Sequence, residues 1–265
     1  MLSGVPAVVR GGGELASAAA RLLFLAGMRV VVLERAQPLA VRRLVSFADA
    51  VFGGEREVEG VRGVLVALDA VSHEAAPFIP VVVDPDGRFL ARAEVAVVVD
   101  ARMTKRGHAA RRDGPAFLVG LGPGFTAGVE VDAVVETQRG PDLGRVIWTG
   151  AAEPDTSLPS PVLGFTEKRV LRAPRTGIFR ERIAIGAVVV PGDVVGDVEG
   201  QPVTTPIAGL LRGVLKDGVH IAEGAKVGDV DPRGPGVNAA AVSDKARAVA
   251  AGVLEAVLLR RRGLR

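Results

Sequence analysis

Residues 8–18 read VVRGGGELASA, and the order of strand, glycine turn and helix in this stretch decides the fold. Residues 6–9 form a short β-rich run. Gly11-x-Gly13-x-x-Ala16 fits the G-x-G-x-x-G/A fingerprint in its proper setting, after a strand and opening a helix. Residues 14–26 predict that helix, with Leu15, Ala19, Leu22, Leu23 and Ala26 on one side and Gly27 closing it. Residues 29–33 are a buried-type strand ending at Glu34. Glycines here let backbone amides approach a pyrophosphate, the helix N-terminus favours its charge, and an acid after the second strand can accept hydrogen bonds from ribose hydroxyls. Gly11, Gly13 and Glu34 are therefore candidate cofactor-binding residues. Glu14 joins them by position, although a carboxylate in the loop would repel a pyrophosphate. The alternative is a tight turn in a fold that has lost or changed its ligand.

Working outward, residues 80–83 and 95–99 are further valine-rich strands, and 70–78 predicts another helix. Strands alternating with helices argue for a parallel sheet, and unbroken valine runs for strands covered on both faces. Asp84 and Asp100 each follow a VVV run, where ligands of open α/β sheets bind. Asp100 leads into Arg102-Met103-Thr104-Lys105-Arg106, an acid and cations suited to a phosphate-bearing ligand plus a proton acceptor or metal. Asp100, Lys105 and Arg106 are the catalytic candidates. A helix cap beside a solvated basic loop is the competing reading.

Between residues 101 and 168 the pattern is less regular, with short strands at 117–119, 132–136 and 145–148. GLGPGFTAG at 120–128 is a second glycine-rich loop, whose amides around Gly122 and Gly124 can form an anion-binding concavity. ETQRGPDLGR at 136–145 places Glu136, Gln138 and Arg139 after a strand. Gln138 and Arg139 could bind a polar heterocycle or phosphate, or the arginine could form a structural pair with a glutamate.

The third segment is a repeat. Residues 173–199 align without a gap on 205–231, at an offset of 32, with Gly177, Gly186, Gly192 and Gly196-Asp197-Val198 matching Gly209, Gly218, Gly224 and Gly228-Asp229-Val230. Glycines at fixed offsets imply repeated turns, hence two copies of one β-unit. The pattern resembles the biotinyl/lipoyl domain, a flattened barrel of two pseudo-symmetric halves. That domain carries its modified lysine at the hairpin between the halves. Here the stretch reads Glu199-Gly200-Gln201-Pro202, and no lysine lies between Lys168 and Lys216. A covalent biotin or lipoyl arm is not expected, which leaves a structural or docking role. Residues 243–262 predict a helix with Ser243 as N-cap and Asp244 in its first turn.

The division expected is therefore an α/β domain with a Rossmann-like parallel sheet at 1–164, an all-β barrel-sandwich domain at 165–235, and a helix at 240–265 that returns to pack on the first domain. Composition narrows the function. There are 265 residues and no cysteine, which removes disulfides, thiolate catalysis and cysteine-ligated metals. His73, His108 and His220 are far apart, so no histidine metal site is expected. His73 and His220 read as structural, while His108 sits in the basic loop. The charge is only +3, aromatics are 4% and Tyr is absent, a poor supply for nucleic-acid binding. No uncharged stretch reaches the roughly 20 apolar residues of a membrane span, and no signal-type run is seen, so a cytoplasmic protein is expected. A homodimer is the base-rate expectation.

Taken in order, VVRGGGELASA, DARMTKR, GLGPGFTAGVEVDAVVETQRGPDLGRVI, GFTEKRVLRAP, the DVDPRG end and SDKARAVAAGVLEA resemble the YqeB family of the selenium-dependent molybdenum hydroxylase system. The likeness spans nearly the whole chain. The first loop departs from the form closer to KGAGDLA, with Gly12 for the alanine and Glu14 for the aspartate. An acid at 14 is thus a family feature and argues against simple NAD binding. The N-terminal part is also similar in style to XdhC-type proteins, which handle molybdopterin cofactor. What the resemblance implies is a cytoplasmic accessory protein that matures molybdenum hydroxylases and holds a molybdopterin dinucleotide across the glycine-rich loops. Its partners would be a client hydroxylase and a selenium-delivery protein. An NAD(P)-linked oxidoreductase, a nucleotide-dependent transferase and a non-catalytic docking scaffold stand as alternatives.

Overall fold

A computed structural model describes residues 2–72, 74–104, 114–156 and 158–264. The chain divides into two compact units. The first comprises Met1–Ala36, Ser46–Thr156 and Val242–Arg265, and the second Gln37–Val45 and Ser157–Ala241. The division is not linear as expected. Segment 37–45 belongs with the second unit, because Val41 packs against Gly213 and Arg43 Nε donates to the Val214 carbonyl at 2.8 Å.

Unit 1 contains β1 (Pro6–Arg10), α1 (Glu14–Leu25), β2 (Arg29–Glu34), α2 (Ala50–Gly53), β3 (Glu55–Val58), β4 (Val61–Leu65), β5 (Ile79–Val83), α3 (Phe89–Arg92), β6 (Val97–Asp100), β7 (Phe117–Leu121), β8 (Thr126–Ala127), β9 (Ala133–Val135), β10 (Val146–Ile147) and β11 (Gly150–Ala151). Nine strands form one sheet, in the order β10-β9-β7-β6-β1-β2-β5-β4-β3. All pairings are parallel except the outermost at each edge, β3 with β4 and β9 with β10. Val8, Val31, Leu33, Val82, Leu90 and Val98 form one apolar cluster, and every residue of β6 is buried. The valine runs therefore belong to strands covered on both sides. A helix over 70–78 does not form. Leu68–Ala70 is one 3₁₀ turn, followed by irregular chain in the described part of this stretch. Val71 and Phe78, the two large apolar residues of this run, stand at its ends with Pro77 between them, and give no continuous face to bury.

The sequence reading also missed the β3–β4 hairpin. Its turn is Glu59-Gly60, both at positive φ (44° and 81°), which matches the twist of a two-residue hairpin. The same dipeptide, Glu199-Gly200, makes a second such turn in unit 2 (48° and 78°).

Unit 2 contains β12 (Val170–Arg172), β13 (Gly177–Glu181), β14 (Val188–Val189), β15 (Val194–Val198), β16 (Gln201–Thr204), β17 (Gly209–Val214), β18 (His220–Ile221) and β19 (Lys226–Asp231). They form two antiparallel four-stranded sheets, β12-β19-β17-β14 and β16-β15-β13-β18. The 32-residue offset maps β13 onto β17, β14 onto β18 and β15 onto β19. Each repeat lends one strand to the other's sheet, since β14 pairs with β17 and β18 with β13. Neither copy can complete a sheet alone. Asp229, 1% exposed, accepts from Arg169 (2.9 Å) and Arg212 (2.6 Å), and Asp231 from Arg233 (2.7 Å). Burial would raise both carboxyls; Lys226, Arg212 and Arg169 around Asp229, and Arg233 and Arg212 around Asp231, outweigh it and hold them below their ordinary values.

The last helix, α4 (Asp244–Arg261), lies in unit 1, packed along α1. Ser243 Oγ accepts the Ala246 N–H at 3.2 Å as its N-cap. Gly252 sits where α4 meets the Gly144 carbonyl, so close that a Cβ would collide with that backbone.

Candidate functional site

Polar residues gather at the carboxyl ends of the unit 1 strands. The strand order reverses at β1: β2 lies on one side of it and β6 on the other. In open parallel sheets, ligands occupy the crevice outside such a reversal. Arg10 and Asp100 are register partners there. Asp100 accepts Arg102 Nε at 3.0 Å and Nη2 at 2.6 Å, and Arg10 Nη1 stands 3.6 Å from it. Two guanidiniums thus flank one mostly buried carboxylate. Gly11 has φ +94°, and a Cβ on it would lie 3.1 Å from the Ala101 carbonyl oxygen. The ends of β1 and β6 approach too closely for a side chain. Beyond Arg102, Met103 has φ 54°, uncommon for a bulky residue. Lys105, Arg106 and His108 lie outside the described residues, as does His73.

The β1–α1 loop is filled from within. Glu34 Oε2 accepts the Gly12 N–H at 2.7 Å, and its Oε1 accepts the Arg35 N–H at 2.7 Å. Burial raises the Glu34 carboxyl above its ordinary value, and those two amides offset only part of the rise. Gly12 O accepts Ser17 Oγ and the Ala48 amide, each at 2.9 Å, and Ser17 Oγ accepts the Phe47 amide at 2.8 Å. A Cβ at position 12 would lie 2.7 Å from Ala48 N, so segment 46–48 rests directly on the loop. Gly13 caps α1 and has open space where its Cβ would be. Glu14 turns to α4, where its Oε1 accepts the Ser243 N–H at 3.0 Å. The loop's glycine geometry therefore accommodates the chain's own backbone and carboxylates.

The second glycine loop follows β7, with Gly122 and Gly124 at φ +70° and +100°. Gly122 lies against Thr137. The buried Glu136 carboxylate accepts three backbone amides: Thr137 and Gln138 at 2.6 Å and Glu153 at 2.8 Å. It organises its own loop, and so does Asp84, whose oxygens accept the Arg88 and Phe89 amides at the start of α3. Arg139 forms a bidentate pair with Asp244 at 2.6 and 2.7 Å, tying the 136–145 loop to the start of α4. Gln138 is half-buried beside it. His220 is exposed on β18.

The sequence reading singled out Gly11 and Asp100 in separate motifs and passed over Arg10, which the same logic reaches as the last residue of β1. Ser17 and segment 46–48 were out of reach, because nothing local marks a contact across 30 residues. No cluster of three or more His, Asp or Glu able to hold a metal occurs among the described residues, and no described helix is long and apolar enough to cross a membrane.

These features define a mixed α/β protein with a large, mainly parallel sheet, two antiparallel sheets and a C-terminal helix, its polar residues gathered at a strand-order reversal. The chain belongs to the YqeB family. It is 42% identical over 254 residues, 95% of its length, to the protein of Escherichia coli (strain K12) named "Uncharacterized protein YqeB". It spans about half of that relative, 47%. No family model matches. Among solved structures, it is similar to an aspartoacylase family protein from Mesorhizobium loti (14% identity, 85% of each chain, TM-score 0.28). It is also similar to the apo ectoine utilization protein EutE from Ruegeria pomeroyi (14%, 86% of each chain, TM-score 0.25). TM-scores this low give the likenesses no weight for fold or chemistry.

Proposed function

We propose that this chain is an accessory protein for the maturation of selenium-dependent molybdenum hydroxylases, and that unit 1 holds a molybdopterin dinucleotide or related nucleotide. We read unit 1 as a Rossmann-like sheet and unit 2 as a barrel-sandwich module. The process rests on the family resemblance. The site rests on one observation: Arg10 and Arg102 flank Asp100 at the strand-order reversal, with the Gly122–Gly124 loop following the neighbouring strand β7. Guanidiniums suit phosphate oxygens because their planar donors bind two at once.

The position of the pyrophosphate differs from that in a dinucleotide-binding loop. Gly12 already donates to Glu34, and segment 46–48 rests on the turn, so a pyrophosphate does not fit there. The arginine pair is the better anchor. This weakens the NAD(P)-linked reading, which depended on Gly11, Gly13 and Glu34. With no cysteine in these 265 residues, a selenium donor would act from outside them. Unit 2 suits docking of the client: Val188 on its edge strand β14 and Val190 just after it are 61% and 54% exposed.

Calorimetry tests the reading. The panel is molybdopterin cytosine dinucleotide, CTP, GTP, NADH and NADPH, with Arg10→Ala and Arg102→Ala as variants. Tight binding of the molybdopterin species, lost in both variants, is expected. Preference for NADPH would move the assignment to a reductase, and silence throughout would leave the docking role.

A further inference from the structure

A second cleft opens at the opposite edge of the unit 1 sheet, where the strands begin. Its volume is about 910 Å³, within the range of small-molecule sites. Two stretches of chain wall it, 93–97 before and into β6 and 114–118 before and into β7, with Val257, Arg260 and Arg261 of α4 across from them. Val97, Phe117 and Val257 are buried and give it an apolar floor.

The charges at its mouth differ from those of the ion-paired arginines. Arg10, Arg43, Arg56, Arg102, Arg139, Arg169, Arg212, Arg233 and Arg247 all have carboxylate partners. Arg260 and Arg261 have none among the described residues. The Arg260 guanidinium instead lies over the Phe117 ring, 5.8 Å from its centroid. Phe117 stacks in turn on Trp148, at 6.1 Å between centroids and 25° between planes. Glu94 is the one acid lining the cleft among the described residues. The last turn of α4 adds roughly half a negative charge. Among the described lining residues, the two guanidiniums exceed both together.

We propose that this cleft is a binding site for a small organic phosphate with a flat apolar body, separate from the arginine pair at the strand-order reversal. The body would lie on Val97, Phe117 and Val257, and the phosphate would meet Arg260 and Arg261. A planar guanidinium already stacked on a ring offers both a face for flat groups and donors for oxygens.

The chain's single tryptophan reports on the cleft, since it stacks on a lining residue. Phenyl phosphate, which does not absorb at the tryptophan excitation edge, is titrated while Trp148 emission is followed, with calorimetry in parallel. Inorganic phosphate and benzyl alcohol separate the anion from the ring. Saturable binding of phenyl phosphate, weaker for each fragment, is expected. The Arg260→Gln/Arg261→Gln variant should raise the dissociation constant about tenfold or more, as loss of a charge-assisted contact does. Ala93→Leu, which narrows the cleft without touching the charges, should weaken binding too, and Arg102→Ala should leave it unchanged. Absence of binding by calorimetry would overturn the site, as would equal affinity for benzyl alcohol or for the folded double glutamine variant. Binding lost in Arg102→Ala alone would assign the phosphate to the other edge of the sheet.

Discussion

Glu34 holds the amide of Gly12, at 2.7 Å, in the turn where a dinucleotide fold would hold a pyrophosphate. A carboxylate of the chain itself satisfies a donor that the glycine fingerprint leaves for a ligand. The Ser46–Ala48 backbone, packed on the same turn, completes the replacement.

That relationship is sensitive to pH. Burial raises the folded Glu34 carboxyl above the ordinary 4.5, so the folded chain binds its proton more tightly than the unfolded chain does. The contribution therefore opposes folding as pH rises through that window and is complete above it. Urea midpoints of the parent protein and Glu34→Gln, taken from pH 4 to 8, should shift in favour of the glutamine variant as pH rises. A constant difference across the range would show that Glu34 titrates alike in both states.

Asp229 behaves in the opposite sense. Burial disfavours its charge, but Lys226, Arg212 and Arg169 outweigh that and hold its carboxyl low. Its contribution is present above the unfolded value, near 3.8, and is lost as pH falls below it through the folded value. Asp229→Asn should destabilise the protein by about 3 kcal/mol at neutral pH, because it leaves the mostly buried Arg169 without its acid and Arg212 with Asp231 alone. Its denaturation curve should also lose part of the acid-induced fall below pH 4.

Gly252 tests helix propensity against packing. Alanine in a helix interior is better than glycine by about 1 kcal/mol. Here the added methyl would meet the Gly144 backbone, which cannot rotate away as a side chain would. Overpacking typically costs about 1–3 kcal/mol, so Gly252→Ala should lower the melting temperature. A rise would mean that α4 and the 136–145 loop can part to admit the methyl group.

Arg139 and Asp244 form a well-aligned bidentate pair, yet both are exposed to solvent. Such pairs contribute little, about 1 kcal/mol or less, and salt screens them. Asp244→Ala should shift the urea midpoint only slightly, and less at 1 M salt. Ser243→Ala, which removes the N-cap acceptor for the Ala246 amide, should cost about 1 kcal/mol at any salt concentration.

The reading of residues 8–34 placed β1, α1 and β2 within a residue or two, because each is written in a local pattern: a valine run, apolar residues on one side of a helix, a closing glycine. The 32-residue repeat likewise foretold two matching β-units. It could not foretell that β14 and β18 exchange between the repeats, since offsets carry no record of which copy a strand pairs with. Segment 37–45 shows the same limit. Val41 and Arg43 look like surface residues of the first unit until Gly213 and the Val214 carbonyl come to meet them.

The candidate site divides on the same line. Residue order alone determined that Gly11, Asp100 and the Gly122–Gly124 loop follow strands, and so where a ligand could be sought. Glu34, Glu14 and Arg139 were legible as charges but not in their roles. Each has a partner far along the chain or across a tight turn: the Gly12 amide, the Ser243 amide and the Asp244 carboxylate. A charged side chain reads the same in sequence whether it awaits a ligand or holds backbone. Only the packing of the tertiary structure decided between them, because desolvation makes an unsatisfied amide or carboxylate costly and the nearest group of the chain removes that cost.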